Sequence, residues 1–332
     1  MQPHHKKHFS FFWVSVFIII LLFLSRIFFW VNTASDAEPV FGITYSWVYA
    51  QQLGLDPDKT YRDLIEELQI NSVRLPLYWS EIEQKQGTFD WALADKIIGF
   101  SEDHQVKLTI VIGAKVPRWP ECFIPDWAQR LTDSEREQTT AFFLEKAVQR
   151  YKSSPSIVRW QVENEPFFPF GECPSLSKDE FQKRVNLVRS LDDRPIQISV
   201  SGEFGSWLES AQTADILGIS VYRQTWNTFF GYMIYPLTPE YYFFRAHLMK
   251  SHVPKVIISE LQAEPWFSDP VQARPLSYWY NIFTVEMFEH NIHFARQTGL
   301  EEVYLWGAEW WFKLKEEGDD RLWDAAKRLF TN

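Results

Sequence analysis

The chain has 332 residues, 46% of them hydrophobic, and a formal net charge of −10. That length accommodates one large core, and the acidic balance without a basic stripe excludes nucleic acid as a partner, since phosphate binding needs a basic face. Two cysteines are too few for a zinc site of their own.

Lys6 and Lys7 precede an apolar stretch running from Phe9 to Val31. About twenty apolar residues span a bilayer, whereas a signal-peptide core has about 7–15. The reading is a transmembrane helix over residues 9–31, behind a cytoplasmic tail over 1–8 and before a linker over 32–38. A cleaved signal segment is the alternative. The lysines favour an N-terminus held in the cytoplasm. The remainder, 39–332, is therefore expected on the extracytoplasmic side, membrane-anchored or, after cleavage, secreted.

From residue 39 onward short apolar runs alternate with amphipathic segments. Strands are predicted at 40–45, 72–77, 108–112, 157–162, 196–200, 216–221, 256–259 and 303–306. Helices are predicted at 59–68, 91–104, 134–151, 178–191, 239–250, 278–298 and 320–330. Eight strands with a helical crossover after nearly each predict an α/β fold, a (β/α)8 TIM barrel. A doubly wound open sheet is the runner-up, but no Gly-x-Gly-x-x-Gly follows the first strand. The chain also lacks a P-loop and a His-Glu-x-x-His.

The fourth and seventh predicted strands end in Glu165, within Asn164-Glu165-Pro166, and Glu260. Side chains at the C-terminal tips of barrel strands converge on the mouth, where chemistry is done. Two opposed carboxyls suit cleavage of a glycosidic bond. Glu165 is expected as general acid and then base, Glu260 as the nucleophile, and Glu163 as the reserve acid. Strict alternation to the strand end would point Glu163 and Glu165 the same way. Arg74 and Tyr222, at the tips of the second and sixth strands, are candidates to hold Glu260 ionised. Asn164 is expected to hydrogen-bond a sugar hydroxyl beside the scissile carbon. A carbohydrate substrate is thus the expected partner, with no metal and no cofactor.

Tryptophans are abundant at 16, and Trp79, Trp119, Trp266, Trp306, Trp310 and Trp311 all fall at or after strand ends. An indole can stack on the flat C–H face of a pyranose, and Trp306 is the chosen platform. Cys122 and Cys173 fall in neighbouring loops on one face. They are a disulfide candidate in an oxidising compartment, with two free thiols as the alternative.

At these residues the chain resembles clan-A glycoside hydrolases, the retaining (β/α)8 enzymes that include the family-five cellulases and mannanases. The stretch from Trp79 to Trp91 resembles that clan's run of Trp, Glu-Pro, Gly and Phe-Asp-Trp, with Gln84 where Pro is usual. By resemblance Arg74 matches the second-strand arginine, Asn164-Glu165 the acid/base pair, Tyr222 the sixth-strand tyrosine, Glu260 the nucleophile, and Trp306 the sugar platform. Two histidines common in such cellulases are replaced, one by the Gly113-Ala-Lys115 run and one by Ser220. The resemblance implies a retaining β-glycosidase with carboxyls about 5–5.5 Å apart. A transglycosidase and a non-catalytic carbohydrate-binding barrel are the alternatives.

Overall fold

The computed structural model describes residues 14–19 and 38–331. Residues 14–19 are helical. The rest of the expected tail, membrane span and linker, apart from Glu38, lies outside the described residues. Among the described residues no helix is long and apolar enough to cross a membrane.

Eight parallel strands close into a barrel: β1 (Val40–Thr44), β2 (Ser72–Pro76), β3 (Lys107–Ile112), β4 (Ile157–Val162), β5 (Ile196–Ser201), β6 (Ile216–Val221), β7 (Lys255–Gln262) and β8 (Glu302–Trp306). Each pairs with its chain-order neighbours, and β8 closes on β1 with Val40 opposite Glu302. The strands are almost entirely buried, as expected where helices cover the outside and side chains fill the inside.

Capping residues start several crossover helices. Asp56 accepts from Lys59 N ahead of Pro57–Leu68, and Thr132 and Ser177 form capping boxes with Glu135 and Glu180. The side-chain oxygen supplies an acceptor for backbone N–H groups that have none within the helix. One prediction is corrected. The helix expected over 278–298 is two helices, Leu276–Ile282 and Val285–Gln297, because Thr284 takes an extended conformation and begins the second. A two-stranded hairpin, Gln224–Asn227 and Gly231–Ile234, also leaves the barrel after β6.

The barrel interior is polar in places and tightly bonded. Arg159 bonds Thr109 and Tyr304 and pairs with Glu302, while Tyr304 OH meets Ser72 Oγ at 2.9 Å. Above this layer, Gln161 Oε1 accepts from Arg74 Nε and Gln197 Nε2, both at 2.8 Å. Buried polar groups need such partners, and here they fix Arg74 directly beneath the mouth.

Candidate active site

Glu260 reaches the mouth because β7 carries an extra residue. Ile219 of β6 opposes Ile258, but the next residue, Ser220, opposes Glu260, so Ser259 is bulged. A bulge re-aims the side chain that follows it. There Glu260 Oε1 accepts from Arg74 Nη1 at 2.7 Å, and Oε2 accepts from Tyr222 OH at 2.9 Å. Arg74 is fully buried, and its Nη2 donates to Asn164 Oδ1 at 2.7 Å. One guanidinium thus links the Glu260 carboxylate to the residue beside Glu165.

Glu163 and Glu165 diverge, against the alternation expected from the sequence. Both have left-handed φ, 59° and 43°, just past the end of β4, a conformation that costs a non-glycine residue about 1–3 kcal/mol and persists only where its surroundings enforce it. The Glu163 carboxylate turns away from the mouth to accept Lys115 N at 2.7 Å and Ala114 N at 3.2 Å, and to pair with Arg184. Gly113, at φ 150°, leaves the room, since any Cβ there would strike that carboxylate. Glu163 is therefore a structural anchor, and its placement removes it as the reserve acid.

Glu165 turns inward, its backbone N donating to Ser199 Oγ at 2.9 Å. Ser220 Oγ donates to Glu165 Oε1 at 2.7 Å, and Ser220 is the register partner of Glu260 on the neighbouring strand. Burial, and then the charge of Glu260, lift Glu165 to about 8; the Ser220 hydrogen bond and Lys115 oppose the shift. A carboxyl that keeps its proton at neutral pH, facing a carboxylate bound by arginine, can supply an acid and a nucleophile from one pair.

The mouth holds a cavity of about 1030 Å³, lined among others by Glu121, Glu165, Tyr222, Glu260, Trp266 and Trp306. Arg118 covers one side of Trp306, its guanidinium 4.2 Å from that ring and 3.8 Å from Tyr49, and it pairs with Glu264 and Glu309. Of the six tryptophans singled out in the sequence, Trp119, Trp266 and Trp306 line the cavity, whereas Trp79, Trp310 and Trp311 are fully buried in the core. Cys122 and Cys173 form a disulfide, Cα atoms 4.7 Å apart, that ties the loop after β3 to the loop after β4.

Three site residues escaped the sequence reading. Ser220 registered there merely as a departure from the usual histidine. Glu203 accepts from Tyr222 N at 3.0 Å and Tyr242 OH at 2.8 Å, and burial lifts it to about 6. Glu121 lies in the loop after β3 and lines the cavity, a placement that no local sequence pattern marked.

Residues 31–215 match the Cellulase family, glycosyl hydrolase family 5. Over 130 residues the chain is 25% identical to the β-galactosidase bgaB of Geobacillus kaustophilus, a match covering 33% of this chain and 19% of that protein. Over 98 residues it is 31% identical to endo-1,4-β-xylanase A of Halalkalibacterium halodurans, covering 25% and 24%. The chain thus matches about a fifth to a quarter of these relatives' lengths. Among solved structures, a GH5_18 variant from Bifidobacterium longum subsp. longum, in complex with Manβ1-4GlcNAc, superposes with a TM-score of 0.62 at 13% identity. That superposition covers 87% of this chain and 77% of the other, a likeness of fold.

Proposed function

The chain belongs to glycosyl hydrolase family 5, and on that premise we propose that it hydrolyses β-linked O-glycosides with retention. Glu260 attacks the anomeric carbon while Glu165 gives its proton to the leaving oxygen. Glu165, now ionised, then takes a proton from water as that water displaces Glu260 and frees the sugar. Arg74 and Tyr222 hold the nucleophile, Asn164 meets the hydroxyl beside the reacting carbon, and Trp306 offers a ring face to the sugar. The observation that carries this reading is the unequal pair: Glu165 keeps its proton near neutrality while Glu260 is bound by Arg74 and Tyr222.

The test uses aryl β-galactosides, β-xylosides and β-mannosides, sugars suggested by the names of the relatives. Proton NMR should show the β-anomer of the product forming first. With E260A, azide should restore turnover and yield an α-glycosyl azide, whereas with E165A it should yield the β-azide. Turnover by E260A without azide would remove Glu260 from the mechanism. Added acceptor sugars distinguish transfer to sugar from transfer to water.

We also propose that the barrel works outside the cytoplasm, held to the membrane by residues 9–31. The lysine-flanked apolar stretch and a disulfide-bonded domain support this. Alkaline extraction of membranes should leave the full chain in the pellet. Release of a shortened chain would favour a cleaved signal.

A further inference from the structure

Resting on the proposed glycosidase reading, we infer that the leaving group carries an alkyl chain, so that the substrates are amphiphilic β-glycosides of the glycolipid class rather than chains of further sugars. Glu165 gives its proton to the leaving oxygen, so the cavity wall beside Glu165 is the one that meets the departing group. Three phenylalanines stand there. Phe168 N donates to Glu165 O at 3.0 Å, and Phe168 O accepts from Lys115 Nζ at 2.8 Å, which fixes this residue next to the acid. Its ring lies 6.3 Å from that of Phe170 and 6.5 Å from that of Phe204, the latter almost parallel at 8°. All three line the cavity, and Phe204 is 65% exposed.

Phenylalanine has no polar tip, unlike tryptophan or tyrosine. A sugar lying along these rings would bring hydroxyls that need partners, and the rings supply none. An alkyl chain needs contact alone. The charged groups gather elsewhere: Arg118 and Glu264 pair with each other at Trp306, where the sugar ring is placed. The apolar track also continues outward. Phe204 meets Tyr235 edge-on at 5.4 Å, and Tyr235 N donates to Arg223 O at 3.0 Å across the base of the hairpin. Met233 of that hairpin lines the same cavity, while Phe229 and Phe230 stand exposed at its tip with rings 6.3 Å apart. Tyr232 OH donates to Trp266 O at 2.9 Å and ties the hairpin to the loop after β7. Exposed apolar surface continuous with a catalytic cavity marks a place for an apolar ligand.

The test takes the sugar of the aryl β-glycoside that the enzyme cleaves best. That sugar is presented as its methyl and octyl β-glycosides, below their micelle concentrations, and as the non-reducing unit of a β-linked disaccharide. The two alcohols leave with similar ease, so a difference in kcat/KM reads contact with the chain. Octyl should exceed methyl by about 100-fold, at about twofold per methylene in a cleft open on one side, and should also exceed the disaccharide. F204S removes an exposed ring and should cut the octyl-to-methyl ratio about fivefold. A wild-type ratio near one, a disaccharide cleaved as well as the octyl glycoside, or a ratio that F204S leaves unchanged overturns the inference. If F204S does not fold, the wild-type comparisons decide alone. The same sugar on a dialkylglycerol in phosphatidylcholine vesicles identifies the source. Turnover there, slowed about fivefold by F229S/F230S, assigns a bilayer lipid, and turnover of the monomeric octyl glycoside alone assigns a free amphiphile. A wild type that cleaves no aryl β-glycoside removes the underlying reading as well, whereas an active enzyme indifferent to chain length removes this inference alone.

Discussion

Ser220 Oγ donates a 2.7 Å hydrogen bond to Glu165 from the strand position directly opposite Glu260. A donor to a carboxylate favours its ionised form, so this hydroxyl holds Glu165 below the value that burial alone would impose. The basic limb of kcat/KM should therefore fall near pH 8, where Glu165 loses its proton. S220A should move that limb upward by about one unit, the worth of one charge-assisted bond. A pH–rate profile that stays put, or moves down, would contradict this coupling.

Glu165 also makes a prediction about stability. Its folded value of about 8 exceeds that of an unfolded glutamate, so the folded state holds the proton more tightly. That stabilisation is complete below about pH 4.5 and is lost as pH rises through about 8. E165Q never ionises and should melt above wild type at pH 9, by roughly 4 °C, with the difference closing below about pH 4.5. Calorimetry across that range checks both the sign and the window.

Glu163 should behave in the opposite way. It binds two backbone N–H groups and Arg184 away from the cavity mouth. E163A should cost about 3 kcal/mol, since it strands a buried arginine, though Glu137 remains as a partner for Arg184. The basic limb should not move. Thermal melts and the pH–rate profile together separate its role from that of Glu165.

The Cys122–Cys173 bridge encloses a separation of 51 residues. Its loss should cost about 4 kcal/mol on the chain-entropy account. C122S/C173S should unfold at lower denaturant than wild type, and the gap should disappear when wild type is reduced. A gap that persists in reductant would mean that the serines themselves disturb the loops.

The barrel was legible because buried parallel strands show as apolar runs, and each of the eight predicted strands overlaps an observed one. Glu165 stands just past such a run, as read, whereas Glu260 does not close its strand: β7 runs on to Gln262, and the bulge at Ser259 brings Glu260 to the mouth. Backbone geometry at the tips was not legible. The left-handed turns at Glu163 and Glu165 and the bulge at Ser259 break the period-two rule that sequence reading assumes. Loop carboxyls such as Glu121 and Glu203 owe their place to tertiary packing, which no local pattern records. Ser220 and Lys115 are instructive, because both appeared as missing histidines and both prove to contact Glu165, at its side chain and its backbone carbonyl respectively.

The bridge between the loops after β3 and β4 joins Glu121 and the segment following Glu165 into one wall. Elsewhere on the rim the hairpin after β6 supplies Thr225, Trp226 and Met233 to the lining and displays Phe229 and Phe230, 92% and 79% exposed, at its tip. One stretch of the rim is thus held by a covalent bridge, while the hairpin's lining residues belong to a separate stretch that this bridge does not restrain.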